Sequence, residues 1–116
     1  MTETDARAFA DEWIAAWNAH DLERILSHYA PGVVFLSPVA EKRVGNGRVA
    51  GITALRDYWG AGLAAQPDLR FELLDVFVGH ACLTLRYRNH RGQTAAETCE
   101  FGGDGKVVRS FACYSG

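Results

Sequence analysis

Cysteine is scarce in this sequence and badly placed for a covalent framework. Cys82, Cys99 and Cys113 are odd in number and none falls in a Cys-x-x-Cys pair. Neither a disulfide scaffold nor a zinc knuckle has usable spacing, and the three read as small buried thiols. Excess positive charge is also missing. Twelve lysines and arginines face fourteen acidic residues, a net charge of −2, which excludes the positive field that sequence-independent nucleic-acid binding needs. No apolar run approaches membrane-spanning length. The first residues, Met-Thr-Glu-Thr-Asp-Ala-Arg, are polar and acidic where a secretory signal needs a basic start and an apolar run. The expectation is a cytoplasmic protein that engages neither nucleic acid nor membrane. His20, His28, His80 and His90 are scattered, with no His-x-x-x-His spacing. Gly45-Asn46-Gly47 and Gly102-Gly103-Asp104-Gly105 lack the Gly-Lys-Ser/Thr or Rossmann context of nucleotide loops and read as turns. No metal and no cofactor is expected.

What the chain does have is the composition of a globular protein: 116 residues, 48% hydrophobic and 22% charged. That length suits one domain over residues 1–116 with a sizeable core, and no repeat or linker interrupts it. From Thr4 to Asn18, Ala6, Phe9, Ala10, Trp13, Ile14 and Trp17 recur at three- and four-residue spacings and make one helical stripe. Asp21 caps a second, short helix with the apolar face Leu22, Ile25, Leu26 and Tyr29, ended by Pro31-Gly32. Val33 to Ser37 is a short strand stopped by Pro38. The polar, glycine-rich stretch Ala40 to Gly51 reads as a loop or two-stranded flap, placed to act as a lid. Ile52, Leu55, Tyr58, Trp59 and Leu63 form a third helix that Gln66-Pro67-Asp68 stops.

Beyond that point the period changes to two. Leu69, Phe71 and Leu73 give way to Leu74, Val76 and Val78, a phase slip that predicts a bulge near Leu73-Leu74 and a bent strand. Turns at Gly79-His80, Asn89 to Gly92 and Gly102 to Gly105 then separate three further strands, the last from Lys106 to Tyr114. Three helices followed by antiparallel strands is an α+β pattern in which a curved sheet is covered on its concave face by the helices.

Three stretches in this order carry a resemblance: Glu12-Trp13-Ile14-Ala15-Ala16-Trp17-Asn18-Ala19-His20-Asp21-Leu22; Val33-Val34-Phe35-Leu36-Ser37-Pro38-Val39 followed by the helix from Ile52; and Gly105-Lys106-Val107-Val108-Arg109 in the last hairpin. The chain resembles, nearly end to end, the nuclear transport factor 2-like superfamily, the cone fold of ketosteroid isomerases, scytalone dehydratases and SnoaL-like polyketide cyclases. The resemblance implies a pocket between the sheet and the first and third helices, and a homodimer through the outer face of the sheet. It does not choose a reaction, because chemistry in such folds resides in the pocket residues.

Glu97 is the candidate acid or base, since it shares a strand face with Ala95, Cys99 and Phe101, and glutamate is rarely buried alone. Pairing with Arg109 or Arg86, or a place on an exposed rim, is the structural alternative. In ketosteroid isomerases the position matching Glu97 carries a protonated acid that donates to the developing oxyanion. The tyrosine donor of those enzymes is matched here by Trp13 and their aspartate base by Ser37, and a serine hydroxyl without a base beside it cannot take a proton near neutral pH. Trp13, Trp17, Tyr29, Phe35, Tyr58, Trp59, Leu63 and Tyr87 are the expected lining, with three tryptophans favouring a wide space, and Ser37 joins Glu97 as a catalytic candidate. The functional expectation is proton-transfer catalysis of isomerase, cyclase or dehydratase type on a small apolar molecule. The alternative is a non-catalytic ligand-binding or dimerisation module. Lys42, Arg43 and Arg48 form a cationic cluster that reads first as a solvated loop.

Overall fold

The computed structural model describes residues 1–115. Helix α1 (Glu3–Asn18) carries the predicted stripe. Thr2 caps it by accepting from the Asp5 N–H while the Asp5 carboxylate reaches back to the Thr2 N–H, so two orphan donors are satisfied. His20 adopts a left-handed backbone (φ 55) at the corner after α1, and its ring nitrogen lies 2.8 Å from the Leu69 carbonyl oxygen, pinning that corner to the approach of the sheet. Asp21 then caps α2 (Leu22–Leu26), as its position predicts.

Tyr29 belongs to the first strand rather than to the second helix. Strand β1 (Tyr29–Leu36) begins there because Tyr29 pairs with Val107 on the last strand, and the register slips between Tyr29 and Val34 to accommodate Pro31-Gly32. A long-range partner outweighs the local helical spacing. The stretch after Ser37 also differs from the expected loop. It forms α3 (Pro38–Val44), with Ser37 accepting from the Val39 N–H, proline in the first turn and Gly45 at φ 79 closing the helix. Only β2 (Arg48–Ala50) of the expected flap is a strand, and it pairs with β1. Among the described residues four helices therefore stand where three were expected, the last being α4 (Ile52–Ala65).

The second half follows the period-two reading closely: β3 (Glu72–Gly79), β4 (Cys82–Arg88), β5 (Thr94–Phe101) and β6 (Val107–Tyr114). The predicted bulge is present, with Leu74 skipped between the pairs Leu73–Tyr87 and Asp75–Arg86. Among the described residues six strands run in the order β2-β1-β6-β5-β4-β3, an unclosed curved sheet whose neighbours are antiparallel except β1 beside β6. Helix α1 lies on β3 and α4 on β1. Between them, Ala6, Ala10, Trp13 and Trp17 of α1 and Leu55 and Trp59 of α4 meet Leu83, Leu85, Cys99 and Ala112 of the concave face. No helix among the described residues is long and apolar enough to cross a membrane.

Candidate functional site

The helices and the concave face bring their aromatic rings together around a narrow space. Trp13 stacks on Phe71 at 16° between planes, Phe71 meets Tyr87 with centroids 4.5 Å apart, and Trp17 and Trp59 meet edge to face at 5.0 Å. Because the rings pack on one another, the tryptophans fill as much of the cone as they line. What remains is an inner chamber of about 100 Å³, lined by Trp13, Trp17, Phe35, Tyr58, Trp59, Phe71, Tyr87, Tyr114 and Glu97, with Val39, Arg43, Gly62 and Gln66 toward its opening. An outer chamber of about 150 Å³ shares Val39, Arg43, Gln66, Phe71, Tyr87 and Tyr114 with it and adds the turn residues Asn89, His90, Arg91 and Gln93.

Glu97 reaches the inner chamber by strand alternation. It stands between Leu85 and Ala112 across the sheet, in phase with buried Ala95 and Cys99, and is 3% exposed. Neither arginine considered for it is its partner: Arg86 binds Asp75 and Arg109 binds Glu100, both on the opposite face. Among the described residues its one hydrogen bond comes from the Ser110 hydroxyl at 3.1 Å. Burial disfavours the carboxylate and pushes Glu97 up to about 8, while the Ser110 bond pulls the other way. Burial likewise raises the Tyr87 phenol and pushes Tyr114 to about 12, so both hydroxyls keep their protons. The indole N–H of buried Trp17 has no hydrogen-bond partner among the described residues. The inner chamber thus presents an apolar wall, several O–H and N–H donors and one carboxyl group that titrates near neutrality.

Of the residues singled out from sequence, Trp13, Trp17, Phe35, Tyr58, Trp59, Tyr87 and Glu97 meet at this chamber. Tyr29 lies behind Trp13, whose indole N–H donates to its hydroxyl at 2.9 Å. Leu63 is buried outside the lining. Ser37 is also outside it: it is buried and caps α3, its hydroxyl accepting from the Val39 N–H at 3.1 Å. Tyr114, Phe71 and His90 line the chambers without being named as site residues from sequence, and Arg43, read there as part of a solvated cationic loop, lines both. Tyr114 was accessible to period-two counting, since it is in phase with buried Ala112 and Ser110. Arg43 was not, because its place depends on α3, which the glycine-rich stretch disguised. No group of three histidine, cysteine, aspartate or glutamate side chains among the described residues is arranged to hold a metal ion.

Helices laid on the concave face of an unclosed, curved six-stranded sheet define an α+β cone fold among the described residues. The chain belongs to the SnoaL-like domain family, whose model matches residues 10–114. It is 41% identical to a SnoaL-like protein of unknown function from Burkholderia thailandensis, covering 100% of this chain and 99% of that one with a TM-score of 0.96. AclR, a candidate hydroxylase from Streptomyces galilaeus, is 25% identical over 98% of this chain and 91% of its own, at a TM-score of 0.77. A candidate isomerase of the SnoaL-like family from Agrobacterium tumefaciens shares the fold at 17% identity, 97% and 99% coverage and a TM-score of 0.78. No curated protein matches the chain.

Proposed function

We propose that the protein binds a small, largely apolar carbonyl compound in the inner chamber and shifts a proton on it, without a cofactor, in a reaction of the isomerase or cyclase kind. One observation carries the reading: Glu97 is buried among aromatic rings with its carboxyl held at about 8. Such a group is partly ionised near neutral pH and passes a proton in either direction at small cost. The tyrosines of the inner lining, Tyr58, Tyr87 and Tyr114, are raised by burial and keep their protons there. Glu97 is therefore the group that takes a proton from the carbon next to the carbonyl and returns it elsewhere. The Tyr87, Tyr114 and Trp17 donors face the oxygen on which charge develops, and each well-aimed donor of this kind is worth about 10²–10³ in rate.

The test needs no prior substrate. Small cyclic ketones in D2O should take up deuterium at the α-carbon in the presence of the protein, with a rate that rises as pH passes about 8. Glu97→Gln should slow the exchange by roughly 10²–10⁴, and equal exchange by the two proteins would end the reading. A second reading, binding without turnover, is supported by Ser37, which caps a helix instead of facing the chamber as a base. It predicts saturable ketone binding with no deuterium uptake.

A homodimer through the outer face of the sheet belongs to the same proposal. There Phe77, Thr84, Thr98 and Phe111 stand in one register row, flanked by the Asp75–Arg86 and Glu100–Arg109 ion pairs, and Phe77 is exposed. Sedimentation equilibrium of Phe77→Asp should show monomer where the parent protein shows dimer.

A further inference from the structure

The chambers differ in polarity in a way that orients a ligand. Apart from Glu97, the inner one is aromatic and uncharged until Arg43, which sits at the junction and lines both chambers. The outer one adds Arg91 and His90, and no carboxylate lines it. Arg43 makes no ion pair or hydrogen bond through its guanidinium among the described residues, whereas Arg24, Arg56, Arg86, Arg88 and Arg109 are each held by a carboxylate. Both ring nitrogens of His90 are buried without a hydrogen-bond partner, and the exposed Asp68 carboxylate stands 3.6 Å from one of them. In a chain of net charge −2, Arg43 with Arg91 beside it, over a cavity whose one acidic lining residue is Glu97 deep inside, is a local reversal of sign suited to a bidentate anion.

Size and spacing agree. A cavity near 150 Å³ accepts about one six-membered ring, so the two chambers, at about 100 and 150 Å³, take one or two rings end to end. Gln93, just before β5 at the mouth, and Glu97 inside it are four residues apart, about 13 Å at the ordinary strand rise. A ligand charge cannot go inward, because an ion facing aromatic walls and a carboxyl group is strongly disfavoured. We infer that the ligand is an acid: a mono- or bicyclic keto acid whose carboxylate sits on Arg43 at the mouth while its carbonyl reaches toward Glu97. Arg43 is thus a specificity-determining residue. The identity of the reacting end rests on the proton-transfer reading above; the identity of the anchored end does not.

The experiment is calorimetric titration with naphthalene-2-carboxylate and its neutral isostere naphthalene-2-carboxamide at pH 7. The acid should bind the parent protein at least about tenfold more tightly, the difference that a charge-assisted hydrogen bond supplies. Arg43→Gln should bring the ratio to about one, and Arg43→Lys should restore much of it. Arg43 is on the exposed end of α3, so circular dichroism of both variants should match the parent. Equal binding of acid and amide to the parent, an unchanged ratio in Arg43→Gln, or no binding of either compound would overturn the inference. Deuterium exchange on ketones separates the two claims. Exchange that depends on Glu97 with an acid-to-amide ratio of one leaves the function standing and removes the anchor. An Arg43-dependent ratio without exchange does the reverse.

Discussion

Glu12 and Glu97 carry the same carboxyl group in opposite surroundings. On the outer side of α1, Glu12 accepts from both ends of the Arg24 guanidinium at 2.6 and 2.9 Å and lies 3.1 Å from the His28 ring, and these partners hold it at about 2. On the concave face of β5, Glu97 has one hydroxyl for a partner and is pushed to about 8. Pairing wins at the first site and desolvation at the second. The rim is therefore built as an ordinary charged surface, while the interior holds a carboxyl group raised toward neutral pH.

The most damaging test of this contrast is Trp13→Ala. Trp13 is buried, stacks on Phe71 and donates to Tyr29, so its loss should cost about 3–5 kcal/mol in denaturant unfolding. If the fold survives, water entering the space should move Glu97 back toward its ordinary value, read by carboxyl-carbon NMR. Glu97→Gln comes next. A carboxyl group raised from about 4.5 to about 8 on folding binds more protons folded than unfolded across that window. The parent protein should therefore be most stable below about pH 4.5 as far as this group is concerned, and lose on the order of 4–5 kcal/mol by pH 8. The glutamine variant should lack that slope. An identical pH dependence in the two proteins would show Glu97 to be solvated.

Ser110→Ala sharpens the comparison from the other side. It removes the hydrogen bond that lowers the Glu97 pKa, so the NMR titration should move further up, with about 1–2 kcal/mol of lost stability. Glu12→Gln should do least. Its depressed pKa adds stability above about pH 4.5 that is lost as pH falls toward 2. Since its side chain is 36% exposed, that gain is worth under about 1 kcal/mol and should shrink further in high salt.

Much of the fold was legible because its signals are local. The α1 stripe, the Asp21 cap, the slip at Leu73-Leu74 and the hairpin turns all come from neighbours within a few residues. Tyr29 and Pro38 to Val44 were misread for opposite reasons. Tyr29 fits a helix by spacing until Val107, far along the chain, claims it as a strand partner. The α3 segment carries a Ser-Pro start and a glycine stop, yet its polar composition and nearby glycines resemble a loop. At the candidate site, alternation along β5 pointed to Glu97, and helical spacing to the tryptophans. Leu63, by contrast, sits on a helix whose apolar side is wider than the cavity it borders, so spacing alone could not separate lining from core.

By itself the sequence determined that helices precede a bent set of strands, that Glu97 shares a face with apolar residues, and that no surplus of positive charge directs the chain to nucleic acid. Only the tertiary structure decided that Arg86 and Arg109 belong to the opposite face, that Ser37 caps a helix, and that Arg43 and His90 meet at one mouth. Side-chain direction follows from short-range geometry, which the order of residues specifies. A pKa or a binding site instead depends on groups within a few ångströms in space, and here those groups come from residues as far apart as Trp13 and Tyr114.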